Sequence, residues 1–286
     1  MAGVQRSDAS EPLETTTHGV LVERLQGASA GASRDAVARE EPLELQLGGA
    51  SLAVVMRTPG HDEELALGFL VTERVVAASA DVVSVRHCRE ARSPEALGNV
   101  VRVVLADHVE VDLEALRRNL YASSSCGICG KATIENALAS APPLDDPARF
   151  PAGFFYDLPE RLAARQPAFA RTGGLHAAAL FAPDGSLRVA REDVGRHNAV
   201  DKVIGWAARE GSLPLAGHVL LVSGRISYEV AQKALAARIP VVAAVSAPTS
   251  LAIELAERAK LTLVGFLRGR SANVYGERSR VAGGAA

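Results

Sequence analysis

The second half of the chain alternates short apolar runs with helical patterns, and no other feature restricts the fold as much. Leu175 to Phe181 is apolar enough for a central strand, Pro183-Asp184-Gly185 is a turn, and Leu187 to Ala190 returns beside it. Helical patterns over 198–209, 226–238 and 250–260 then separate strands over 218–222, 241–245 and 261–266. Short apolar strands joined in this way predict an α/β sheet covered by helices on both faces.

The first half reads differently. Residues 1–18 are polar and are expected to form a disordered tail. A strand is expected over 18–25, and Gly27-Ala-Ser-Ala-Gly31 reads as a flexible patch. Leu43, Leu45 and Leu47 alternate, Gly48-Gly49 turns the chain, and Leu52, Val54 and Met56 alternate again, which predicts a hairpin. Asp62, Glu63 and Glu64 open a helix that buries Leu65, Phe69 and Leu70. Strands over 82–85 and 100–105 complete a small α+β lobe spanning 19–120. Pro142-Pro143 and Pro147 break regular structure within an expected mobile segment, 121–150. The α/β domain then occupies 151–278, and 279–286 is expected to be a flexible tail.

At 286 residues the chain exceeds a typical domain of about 150, in keeping with two lobes. Acidic residues number 33 and basic ones 31, so no charge excess points to nucleic acid or a membrane surface. No apolar run nears the 18 or so residues of a membrane span, and Met1 to Glu14 lacks the apolar core of an export signal. With only three cysteines, a reducing compartment is expected, hence the cytoplasm.

Two of those cysteines stand in Cys126-Gly-Ile-Cys129-Gly, after three serines and before a helical pattern opened by Lys131. Glycine leaves both thiols uncovered. A helix start and a lysine lower a thiol pKa from about 8.5 toward roughly 3.5–7.5. A disulfide across so short a loop would add little stability. Zinc would need His87, His176 or His197 to complete a ligand shell, since no second Cys-x-x-Cys exists. Dithiol redox chemistry or sulfur transfer fits the pattern better, with no metal.

Three further loops follow strands: Ser223-Gly224-Arg225, Ala247-Pro248-Thr249-Ser250 and Leu267-Arg268-Gly269-Arg270-Ser271. In open α/β sheets such loops line the ligand crevice, and helix starts there suit phosphate. Arg225, Arg268 and Arg270 could add bidentate contacts. The plain alternative is helix-start grammar with surface arginines. Asp193-Val-Gly-Arg-His-Asn-Ala-Val-Asp-Lys202 is the densest polar cluster, either capping a helix through Asn198 or offering Arg196, His197 and Lys202 to a ligand. His176 reads as a hydrogen-bonded core histidine, and Phe169 and Trp206 as core.

Taken together, Cys126–Gly130, Thr172-Gly-Gly-Leu-His-Ala-Ala-Ala, Glu192 to Lys202, Ser223-Gly-Arg-Ile-Ser, Ala247-Pro-Thr-Ser and Gly265-Phe-Leu-Arg resemble the formate dehydrogenase accessory sulfurtransferase family, FdhD. The resemblance runs over about 40–276. It implies a cytidine-deaminase-like mixed sheet covered by helices in the second lobe, with the smaller α+β lobe preceding it. It also implies a sulfurtransferase that accepts persulfide sulfur from a cysteine desulfurase. That sulfur passes to a molybdenum (or tungsten) bis-molybdopterin guanine dinucleotide destined for formate dehydrogenase. By resemblance Cys126 carries the persulfide and Phe266 to Ser271 bind the cofactor; Cys129 is expected to assist by exchange, and a homodimer is expected. The deaminase zinc apparatus is missing, because His176 is followed by Ala-Ala rather than by a glutamate. The rivals are a cofactor chaperone without sulfur chemistry and a zinc-stabilised binding module.

Overall fold

The alternating second half folds into a six-stranded mixed sheet. A computed structural model describes residues 11–88, 96–114, 116 and 142–282 of the chain. In order these form α1 (Leu13–Thr16), β1 (Thr17–Gln26), β2 (Ser29–Ala38), β3 (Glu41–Leu47), β4 (Ala50–Arg57), α2 (Asp62–Thr72), β5 (Val82–His87) and β6 (Val100–Leu105). After residue 142 come β7 (Phe150–Pro151), α3 (Gly153–Tyr156), α4 (Leu158–Ala163), α5 (Pro167–Thr172), β8 (His176–Phe181), β9 (Leu187–Asp193) and α6 (Arg196–Arg209). The chain continues through β10 (Val219–Val222), α7 (Tyr228–Ala236), β11 (Val241–Ala244), α8 (Ser250–Ala259), β12 (Thr262–Arg268), β13 (Ser271–Gly276) and β14 (Val281–Ala282).

The large sheet has the order β13-β12-β11-β10-β8-β9. Strands β10, β11 and β12 are parallel, while β8 runs against β10 and β13 against β12. Strand alternation splits its side chains between two cores. Ala178, Leu180, Leu220, Val222, Val242 and Leu263 face α6, α7 and α8. Ala177, Ala179, Phe181, Val219, Leu221 and Val241 face Phe150, Phe155, Leu158 and Leu162. Helices therefore cover both faces, as the sequence pattern requires.

A second sheet, β4-β3-β6-β5, forms the smaller lobe. Its Leu43, Leu45, Leu47, Val101 and Val103 join the same core as α6 to α8, with α2 between. Helix α2 is buried on every side, because its apolar residues run all round it rather than along one stripe. Two glycines set the depth of its contact with α6. A Cβ on Gly68 would lie 1.8 Å from the Asp201 carbonyl oxygen, and one on Gly205 would lie 1.8 Å from that of Glu64. The backbones touch, and only glycine fits.

Several expectations change. Of the tail expected over 1–18, residues 13–18 form α1 and the start of β1. The flexible patch after Gln26 is a turn into β2, an exposed strand whose alanines, serines and glycine carry little strand signal. In β4 a bulge opposite Leu45 and Gln46 changes the phase. Leu52 is buried, but Val54 and Met56 point outward. Strand β12 is not the last, since Gly269-Arg270 turns it into β13. The end expected to be flexible contains Arg280, buried with its guanidinium donating to the Leu144, Asp146 and Lys260 carbonyls. Within the segment expected to be mobile over 121–150, Leu144 and Phe150 are core residues. Cys126, Cys129 and the helix expected after them lie outside the described residues.

Candidate functional site

Strand direction gathers the site at one edge of the large sheet. The parallel strands β10, β11 and β12 all end there, and antiparallel β8 begins there with His176, paired with Asp193 at the end of β9. The loop after β10 is tied back to β8: the Ser223 amide donates to the Ala177 carbonyl, and the Ala177 amide donates to Ser223 Oγ, both at 2.9 Å. Gly224 then passes beside the His176 ring, whose Nδ1 would lie 3.5 Å from a Cβ there. The second loop is laced to the first, since Ile226 N–H donates to the Ala247 carbonyl and Thr249 N–H to the Ile226 carbonyl. The third joins the second through Phe266 N–H and the Ser246 carbonyl, 3.0 Å apart. All three loops singled out in the sequence therefore converge.

Their residues divide by role. Arg225, Arg268, Arg270, Ser250 and Ser271 are exposed, and Gly224 and Gly269 leave the backbone open. Phe266 is 40% exposed and holds φ at 57°, a left-handed conformation rarely adopted by a bulky residue. Strain of this kind collects at ligand sites. Leu267, in contrast, buries its side chain in the core, so only its backbone is available. The Thr249 hydroxyl accepts from Ala252 N–H and so caps α8 rather than a ligand.

Beside these loops lies a cavity of about 560 Å³, lined by Gln166, Phe169, Gly173, Gly174, His176, Ser223 and neighbours. Burial, assisted by Arg196, lowers the His176 pKa below the ordinary imidazole value, while Asp193 opposes the shift. His176 is thus a crevice residue and not a core histidine. Phe169, expected in the core, is 43% exposed at the cavity rim. Glu192 holds this wall in place, its carboxylate accepting from the Ala168 and Phe169 amides at 3.0 and 2.7 Å. Gln166 carries no motif to announce it. The glycine pair before β8 was its nearest sequence signal.

The polar cluster has a different job. Lys202 is buried against the Asp193 carboxylate at 2.7 Å and donates to the Thr58 carbonyl. Asn198 caps nothing: its amide donates to Asp193 and to the Met56 carbonyl. Lys233 pairs with Asp201 at 2.8 Å and Arg191 with Glu64 at 2.7 Å. Of these bonds, Lys202–Thr58, Asn198–Met56 and Arg191–Glu64 tie the lobes together. Arg196 and His197 of the cluster stay near the crevice, as does Asp193 beside His176. Burial, then Lys233, lowers the His197 pKa to about 4. Cys88, half-buried, accepts from the Arg102 guanidinium at 3.8 Å. Among the described residues no three His, Cys, Asp or Glu side chains gather as a ligand set.

Comparison with known proteins assigns this architecture. The family model "FdhD/NarQ family" matches residues 38–282. The chain belongs to the FdhD/NarQ family. Among FdhD relatives, the sulfur carrier protein of Streptomyces coelicolor is 51% identical over 263 residues, covering 91% of this chain and 93% of the relative. That of Mycobacterium tuberculosis is 50% identical over 253 residues, covering 86% and 92%. A putative formate dehydrogenase accessory protein from Desulfotalea psychrophila has a similar fold, with a TM-score of 0.73 at 22% identity, over 93% of this chain and all of that one.

Proposed function

We propose that this FdhD-family chain is a sulfur carrier serving formate dehydrogenase. Cys126 takes the terminal sulfur of a cysteine desulfurase persulfide and delivers it to a molybdenum (or tungsten) bis-molybdopterin guanine dinucleotide. The names of relatives about half identical over nearly their whole length support the sulfur role. The convergence of three loops at the strand ends supports the acceptor site and is the observation that carries it. The Cys126 thiolate attacks the outer sulfur of the donor persulfide; the donor's S–S bond breaks, a new one forms on Cys126, and the donor leaves as thiolate. Attack of the Cys129 thiolate on Cys126 Sγ then frees hydrosulfide and leaves a disulfide, which a thiol reductant must reopen. Cofactor phosphates rest on the Ser223–Arg225, Thr249–Ser250 and Phe266–Ser271 backbone, with Arg225, Arg268 and Arg270 as counter-charges. The strand order β9-β8-β10-β11-β12 supports a cytidine-deaminase-like ancestry. We place the protein in the cytoplasm as a homodimer.

Mass spectrometry after incubation with a desulfurase and cysteine tests the carrier. Wild type and Cys129→Ala should gain one sulfur on Cys126, and Cys126→Ala should gain none. Sulfur retained by Cys126→Ala and lost by Cys129→Ala would reverse the roles. Formate dehydrogenase maturation by a Cys126→Ala protein would favour an escort without sulfur chemistry.

A further inference from the structure

The small sheet ends at β5, and among the described residues no strand pairs with its outer edge. Its neighbour β6 buries Val101 and Val103 on one face, so Arg102 and Val104 point to the other. That second face is open, with Val54, Met56 and Val104 exposed on it. Register places Arg86 of β5 directly opposite Arg102, and both are exposed. Two guanidiniums therefore stand side by side, an arrangement that destabilises a sheet unless an anion answers it. No carboxylate among the described residues does. Arg86 has no bonded partner there, and Arg102 donates to Cys88 Sγ at 3.8 Å. Glu44, on the same face, accepts from Gln46 instead. The exposed β1–β2 hairpin has no such excess, because Glu23, Arg24, Arg34 and Asp35 balance.

We propose that the β5 edge, with Arg86 and Arg102 on its outer face, is the docking site for an extended acidic segment of a partner protein. The inference goes beyond the sulfur-carrier reading and does not depend on it. An open edge strand offers unpaired amides and carbonyls, and an extended segment pairs with them as an added strand. Alternate side chains of that strand fall on the outer face beside Arg86, where a carboxylate supplies the missing counter-charge. The side chains between them fall on the face of Val85, which packs against the shared core. The segment that fits is one in which acidic and apolar residues alternate.

The test is fluorescence anisotropy of a labelled peptide, Thr-Glu-Val-Glu-Val-Glu-Thr, titrated with the full chain at low salt. A second peptide carries lysine in place of glutamate. The acidic peptide should saturate, bind about tenfold more tightly than the basic one, and weaken as salt rises. Arg86→Glu and Arg102→Glu should each weaken it by about tenfold, and the double variant should prefer the lysine peptide. Arg86→Glu sets opposite charges across the two strands, so its melting temperature should hold or rise. A fall would mean that the arginine pair serves the fold, and would overturn the assignment. Bound acidic peptide should slow amide hydrogen exchange over Val82–His87. Binding without that protection places the contact elsewhere. Equal affinity for the two peptides, or failure of the acidic one to saturate, likewise overturns the proposal.

Discussion

Lys202 donates to the Asp193 carboxylate at 2.7 Å with both side chains essentially shut off from water. The same carboxylate accepts from Thr58 N–H, Gly195 N–H and the Asn198 amide, so it is fully engaged across both lobes. Lys202→Met would leave that negative charge buried with its cation removed. A loss of about 3–5 kcal/mol in urea denaturation is expected. A loss below about 1 kcal/mol would mean that the pair behaves as a surface bridge. Two histidines give a pH signature. His61 is lowered to about 3 by burial, then by Arg191, Lys202 and Arg209, and His197 to about 4 by burial, then Lys233. The unfolded chain protonates its imidazoles near 6.5, whereas the fold resists until those lower values, so the unfolded state binds more protons in between. Stability should therefore fall as pH drops below about 6.5. A His61→Asn, His197→Gln variant should show a shallower decline in urea midpoint between pH 7 and 5. Equal slopes for the two proteins would count against this account.

Helices α2 and α6 meet where Gly68 and Gly205 leave no room for a methyl group, against Asp201 and Glu64 backbone oxygens that cannot yield. On a solvated helix, glycine to alanine stabilises by up to about 1 kcal/mol. Here the sign should reverse. Gly205→Ala should cost at least the roughly 1–3 kcal/mol of an overpacked core, read as a fall in melting temperature. A rise would mean that the helices separate more readily than their contact implies. Neither glycine was legible in the sequence, because nothing local distinguishes a crossing-point glycine from one that merely weakens a helix. The α/β alternation was legible because each buried strand must be apolar along its whole length. Ser29–Ala38 was not, since an exposed hairpin arm needs no apolar pattern. Val54 and Met56 were misplaced because a bulge reverses alternation without marking the sequence. Asp62 and Glu64 looked like ordinary helix-opening acids. Their partners, Arg57 and Arg191, lie on other strands and turn them into buried ion pairs. The strand-end loops were readable because turn chemistry and strand direction both point to one edge. The place of Gln166 in the cavity wall was not, because it comes from what surrounds the residue.

At the scale of the whole molecule, two sheets share one interior. The core that holds Leu43 and Val101 of the small sheet also holds Leu220 and Leu263 of the large one, with α2 filling the space between. Helix α2 has no face suited to water, so the small sheet without α6 and α7 would expose an apolar helix. Polar bonds cross the same boundary. Arg191 reaches Glu64, Lys202 reaches Thr58, and Lys233 reaches Thr72. Each of these would be broken, and its buried charge exposed or stranded, if one lobe opened while the other stayed folded. Sequential unfolding is therefore penalised on both apolar and electrostatic grounds, and the chain should unfold as one cooperative unit despite its length. The single tryptophan offers a direct probe, because Trp206 lies on α6 and packs against the shared core. In urea, Trp206 fluorescence and far-ultraviolet circular dichroism should trace coincident transitions with a common midpoint. Removal of the Lys233–Asp201 pair by Lys233→Met should shift both midpoints downward together. A tryptophan transition separated from the dichroism, in the wild type or in that variant, would show that the two sheets are independent folding units.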